Sequence, residues 1–225
     1  MTQRFIYAQL IHQKSTDHGH QAKWILERDD LGAVSWDGVW ESVHVQFFTE
    51  RIKSTIWEQV HLGFYTTYNY NVWHNTLLPC PLCHKIPQDV FHVLLDCGFT
   101  VGAWAKIEHI LMGILPIPLS THERAFGLQP RCKGEKNATI LRNWITFSLR
   151  HHIMKEERRA YYLSSYSSGQ ERIFFQVFNR SMQRELIEKQ LQYRFGGLEQ
   201  KFDNILSASN VMLRNNDDEY IWTDV

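Results

Sequence analysis

Cys80-Pro81-Leu82-Cys83 is followed by His92 and then Cys97, so four residues with metal-ligating side chains fall in the order Cys-x2-Cys-x8-His-x4-Cys. Three of the chain's four cysteines lie in this window. A Cys-x2-Cys pair lets two thiolates turn back onto one ion, and a His and a Cys five positions apart approach the same ion from a helix and its end. The spacing therefore predicts one tetrahedral Cys3His zinc site with Cys80, Cys83, His92 and Cys97 as ligands. The competing reading keeps Cys80, Cys83 and Cys97 as buried thiols beside an unrelated surface His92. His84 is a rival ligand, ranked behind His92 because a chelate through the residue next to Cys83 would be cramped.

A centre of this size organises a small domain, and the rest of the chain is long enough to need a core of its own. The 225 residues are 44% hydrophobic and include eight Trp and thirteen Phe, which excludes a disordered polypeptide. No apolar run reaches the roughly 20 residues that span a bilayer, and no signal-type block follows Met1-Thr2-Gln3-Arg4. The expected setting is intracellular, cytoplasmic or nuclear, with no membrane partner; in that setting four cysteines favour metal or free thiols over disulfides. The net charge is zero but unevenly spread. Residues 1–130 carry 9 Lys+Arg against 12 Asp+Glu, residues 131–201 carry 14 against 7, and residues 202–225 carry 1 against 5. A basic segment behind a zinc module is what phosphate contacts need, although a solvated helix face has the same composition.

Periodicity makes the fold class mainly α: a small helical domain built round the zinc knuckle, followed by long C-terminal helices. Ser35 caps a helix whose apolar positions Trp36, Val39, Trp40, Val43 and Phe47 form one stripe. A second helix covers about Glu50 to His61, and Tyr70 to His74 restarts a helical turn. Pro87 opens a helix over Gln88 to Leu95, and Val101, Trp104, Ile107, Leu111 and Ile114 mark another that stops near Pro116. Leu141, Trp144, Ile145 and Leu149 continue through His151-His152 into Glu156-Glu157-Arg158-Arg159. Beyond a loop at 164–169, a long helix runs from about Glu171 to Phe195 and ends at Gly196-Gly197. The implied organisation is a lead-in and linker over 1–34, the knuckle domain over 35–130, a basic helical segment over 131–201 and a flexible acidic tail over 202–225.

Gly-rich phosphate loops, His-Glu-x-x-His pairs and Gly-x-Ser-x-Gly elbows are missing from the sequence, and four protein ligands leave no open position for a substrate, so the chain reads as non-enzymatic. Asp29-Asp30 and Asp217-Asp218 read as solvated turns. His151-His152 reads as surface or as a phosphate contact, and Cys132 as a free thiol. Arg142, Arg150, Lys155, Arg158 and Arg159 are the candidate nucleic-acid contacts.

Trp36-x3-Trp40-Glu41, Glu58-Gln59-Val60-His61-Leu62, Thr66, Cys80-Pro81-Leu82-Cys83, His92, Cys97 and Trp104, taken in that order, resemble the zinc-binding region that follows the polymerase core in LINE-type (non-LTR) retrotransposon reverse transcriptases. The similarity covers about residues 24–128 and extends more loosely through 147–150 and 156–159. The resemblance implies a helical fold whose knuckle helps to grip template RNA or target DNA during target-primed reverse transcription. It transfers only Cys80, Cys83, His92 and Cys97 as family residues. A Tyr/Phe-x-Asp-Asp polymerase hairpin and an endonuclease are both missing, so the resemblance carries over no catalytic activity and implies a separated C-terminal piece or a remnant gene product. Two functional expectations follow: a nucleic-acid-binding zinc module with RNA or DNA as partner, or a protein-interaction or inert fragment that packs on an upstream polymerase portion.

Overall fold

The computed structural model describes residue 24 and residues 28–31, 34–63, 65–87, 89–163, 170–208, 212–214 and 220–222. The fold is mainly helical, with a Cys3His group at one corner and long helices C-terminal to it. A 3-10 turn at Asp29–Leu31 precedes α1 (Trp36–Val43), α2 (Glu50–Val60) and α3 (Thr67–His74). A π-helical turn (His92–Asp96) leads into α4 (Gly98–Ile114) and then α5 (Thr121–Phe126). After a second 3-10 turn come α6 (Lys136–Leu163), α7 (Gln170–Phe195) and α8 (Glu199–Leu206). Two short strands, β1 (Met212–Arg214) and β2 (Tyr220–Trp222), pair antiparallel with Met212 opposite Trp222.

Short helices start where the sequence supplies an oxygen for the unpaired amides of the first turn. Ser35 Oγ accepts from Gly38 N, Thr49 Oγ1 from Ile52 N and Ser120 Oγ from Glu123 N. Thr66 and Asn69 form a reciprocal capping box ahead of α3, and Asn75, at φ 51°, ends that helix in the left-handed conformation that Asn tolerates. The stripe expected to carry α1 as far as Phe47 is cut at Val43. The chain turns there, and Phe47 packs instead on Trp144 at 5.7 Å and Phe202 at 6.1 Å.

The spine of the molecule is α6. Its 28 residues span about 42 Å at the usual rise of ~1.5 Å each. Leu141, Trp144, Ile145, Phe147 and Leu149 are all fully buried on one side, and Arg142, Asn143, Thr146 and Arg150 are buried on the other, the condition of a helix enclosed on all sides. It packs against α2, α4, α7 and α8, and near its far end Ala160 backs the cysteines. Gly127 crosses Phe147 so closely, at φ 80°, that a Cβ there would lie 2.7 Å from the ring.

Buried residues from all four of the expected stretches meet in one core. Trp24, placed in the lead-in, is fully buried against Phe91 and Phe126 and donates its indole N–H to the Val60 carbonyl at 2.9 Å. The core runs across residue 130 without a break, and the Asn143 amide clamps the Leu128 N–H and carbonyl from the far side of that point. Phe202, Ile205, Leu206 and Trp222, in the supposed flexible tail, are buried. Trp222 is fastened to α7 by bonds to Gln183 and Asn179. Residues 1–23 of the expected lead-in and linker, the loop at 164–169 and the acids at 217–219 lie outside the described residues.

Candidate metal centre

Each pair of donors is set by its own local device. The first pair sits on a tight turn in which His84 N–H bonds the Cys80 carbonyl and Cys80 N–H bonds the Lys85 carbonyl, both at 2.8 Å. His84 adopts φ 60° to close that turn, so the rival ligand contributes backbone geometry and its side chain is not part of the cluster. The second pair is set by the π-turn. In an α-helix, residues five apart point about 140° away from each other. The wider π-turn closes an i to i+5 bond, Cys97 N–H to the His92 carbonyl at 2.6 Å, and brings both side chains to one side. The helix expected over 88–95 is therefore a π-turn five residues long.

Wide turns leave backbone groups unpaired, and neighbouring side chains supply the partners. Asp89 Oδ1 accepts from Phe91 N and His92 N at 2.8 and 3.0 Å. Thr100 Oγ1 donates to the Val93 carbonyl at 2.6 Å, and the Trp104 indole donates to the Leu94 carbonyl at 3.2 Å. Asp89 and Thr100 hold the ligand-bearing turn in shape and were not among the expected site residues. The legible signal for Asp89 was a capping residue three positions before His92; Thr100 became visible only once the turn was known to be π.

The four donor atoms lie within 4.8 Å of one another. Cys80 Sγ and Cys97 Sγ are 4.0 Å apart, and Cys83 Sγ and His92 Nε2 are 3.3 Å apart. In a tetrahedral centre with bonds of about 2.3 Å to sulfur and about 2.0 Å to nitrogen, the corresponding edges are about 3.8 and 3.5 Å. The residues fit a metal ion. Cys80 and Cys97 are wholly buried and Leu82 lies beside them. Their proximity forces the two thiols apart in acidity: the hydrogen bond from Cys80 holds Cys97 down to about 4, and the same bond pushes Cys80 far up. The amides of Thr100 and Phe99 at the start of α4 lower Cys97 further. Burial raises Cys83. A cation bound here would take the place of the protons that Cys80 and Cys83 otherwise keep.

The expected nucleic-acid contacts divide. Arg142 is fully buried, with Nε 2.5 Å from Glu123 Oε1 and Nη1 on the Leu111 and Leu115 carbonyls. Arg150 is 1% exposed, and its Nη1 donates to the Ala125 carbonyl. Neither guanidinium reaches solvent, so neither is a phosphate contact; both lie on the enclosed stretch of α6. Their partners, Glu123 and the Ala125 carbonyl, lie in α5, so nothing within α6 itself marks these two guanidiniums as buried. Lys155 and Arg158 are exposed on the next turns, and Arg159 is half-buried against Glu156. Arg158 lies 3.5 Å from Glu58. His151 and His152 are also removed from the surface role: His151 Nδ1 meets Thr55 Oγ1 at 2.8 Å and His152 Nδ1 meets the Ser148 carbonyl at 2.8 Å. Cys132 is exposed.

Among the described residues, no helix is long and apolar enough to cross a membrane. No family model, curated protein or solved structure matches this chain.

Proposed function

We propose that the chain is a zinc-dependent nucleic-acid-binding segment of the kind that follows the polymerase core in LINE-type reverse transcriptases. The observation that carries the reading is the convergence of Cys80, Cys83, His92 and Cys97 on one point. Three thiolates and an imidazole at tetrahedral spacing suit one Zn2+ in a structural role, since four protein donors leave no coordination position open. The ion supplies rigidity and charge balance. The residues do the rest: the Cys80–Lys85 turn and the π-turn hold the donors, and the exposed cations at the end of α6 meet phosphates of RNA or DNA. With Arg142 and Arg150 inside, the contacts are Lys155, Arg158 and Arg159.

The test is binding of labelled RNA and DNA across a salt series. Each phosphate contact adds about 0.7 to 0.9 to the slope of log affinity against log salt. Alanine at Lys155, Arg158 and Arg159 lowers that slope, and affinity indifferent to salt sinks the reading.

A second reading is favoured by Leu77, Leu78 and Ile86, which flank the cysteines and are all at least 40% exposed. On this reading the chain is a non-catalytic fragment that packs on an upstream polymerase portion. Aggregation of the isolated chain, relieved by that portion, would support it.

A further inference from the structure

A ledge of aromatic rings lies on the surface between α3 and the end of α6. Tyr65 stands 5.4 Å from Trp73 and 6.3 Å from Tyr70, and Tyr70 touches Tyr161 at 5.7 Å. Tyr161 in turn meets Tyr162 at 5.6 Å. Trp73 is 65% exposed and Tyr162 is 80% exposed. These rings have open faces, so core packing does not account for them.

The ledge continues into positive charge. A hollow of about 390 Å³ among Tyr65, Tyr161 and Tyr162 shares Arg158 with a second hollow of about 130 Å³ that holds Lys155 and His151. Arg51, Lys155 and Arg158 all stand close enough to His151 to disfavour its protonation. Two of the nearby acids are held by other groups, while Glu58 lines the second hollow and is the carboxylate that a phosphate must displace from Arg158. Glu157 turns inward to the Thr67 N–H and hydroxyl at 3.1 and 3.0 Å, Glu156 is held by Arg159, and Glu58 faces Arg158 at 3.5 Å.

We infer that this strip is a track for single-stranded nucleic acid, with phosphates along Arg51, Lys155 and Arg158 and unpaired bases stacked on Tyr65, Trp73 and Tyr162. The inference rests on the nucleic-acid reading above and adds the strand form and the residues that meet the bases. Stacking needs a free base face, which a duplex does not offer except at its ends. Cations beside open rings are the combination that single strands select, whereas a protein-docking face would not need the charge.

The test compares a labelled pyrimidine oligonucleotide with a duplex of equal length, using the zinc-loaded chain and the variants Trp73→Ala, Tyr162→Ala and Arg158→Ala. The single strand is expected to bind at least tenfold more tightly than the duplex. Each ring variant weakens it by about fivefold or more without changing the salt slope. Arg158→Ala lowers the slope instead. Equal binding of single strand and duplex, with the ring variants unchanged, overturns the track and leaves the nucleic-acid reading standing. Absence of binding to either form at low salt overturns both. Loss of binding to an upstream polymerase portion in the ring variants, with oligonucleotide affinity unchanged, assigns the ledge to protein and also overturns the track.

Discussion

Arg142 and Glu123 form a two-pronged ion pair sealed from water, Nε to Oε1 at 2.5 Å and Nη2 to Oε2 at 2.8 Å, with side chains 0% and 1% exposed. The remaining guanidinium donors close the carbonyls of Leu111, Leu115 and Ile117. Arg142 thus neutralises one carboxylate and caps the C-terminal end of α4, where carbonyls and the helix dipole both favour a cation.

Removing one partner leaves a buried charge without compensation. Arg142→Met is expected to destabilise the fold by about 3 to 5 kcal/mol, and Arg142→Met with Glu123→Leu by clearly less, because the pair removed together leaves no orphan. Urea unfolding of the three proteins measures the difference. A single variant as stable as the parent would contradict the arrangement.

Metal removal acts on the fold as well as on the centre. Cys83→Ser is expected to reduce bound zinc well below one equivalent and to lower the unfolding temperature, because binding to a site formed only in the folded state adds directly to stability. Elemental analysis alongside thermal unfolding reads both. A parent free of metal, with a variant that folds equally well, rejects the centre.

Thr100 should matter although it binds no ion. Thr100→Val keeps the shape but strands the Val93 carbonyl inside the protein, at an expected loss of about 1 to 3 kcal/mol. Because the π-turn carries His92, chelator competition should also remove metal faster from this variant. Stability lost with unchanged metal retention would mean that Thr100 supports packing alone.

His151 gives the fold a dependence on pH. Burial, helped by His152, Arg51, Lys155 and Arg158, holds its imidazole down to about 4, below the ordinary value near 6.5. Between those values the unfolded chain binds the proton and the folded chain does not, so stability is full above about 6.5 and declines as pH falls toward 4. The expected loss is on the order of 2 kcal/mol, allowing for partial exposure to solvent. His151→Gln should flatten this part of the profile. Denaturant midpoints of both proteins at neutral and acid pH separate it from acid release of metal, which the two share.

The Cys3His cluster was legible because it is a local pattern: Cys80, Cys83, His92 and Cys97 lie within one short stretch, and the chain between them has few ways to converge. The long helices were legible for the same reason. α7 was bounded by Gly196-Gly197 and α4 by Pro116, and both bounds hold to within a few residues. Long-range packing was not legible. A cation count over residues 131–201 says nothing of Arg142, whose partner Glu123 lies in another helix, or of Lys189, buried over the Phe47 ring at 4.8 Å. Trp222 looked like part of an acidic tail because its neighbours in sequence are charged, whereas its neighbours in space are Trp144 and Phe178.

The π-turn makes the distance from His92 to Cys97 a matter of counting. Substitutions at Val93, Leu94 or Leu95 alter packing, but the four-residue interval sets which way Cys97 faces. Restoring ordinary α pitch without changing the length would turn the Cys97 thiol about 140° from His92, whereas a chain one residue shorter would put the same two donors about 40° apart at α pitch, on one face. Pitch and length in this segment are therefore tied to each other: five positions go with the π-turn and four would go with an α turn, while the identities of the residues between are free to drift.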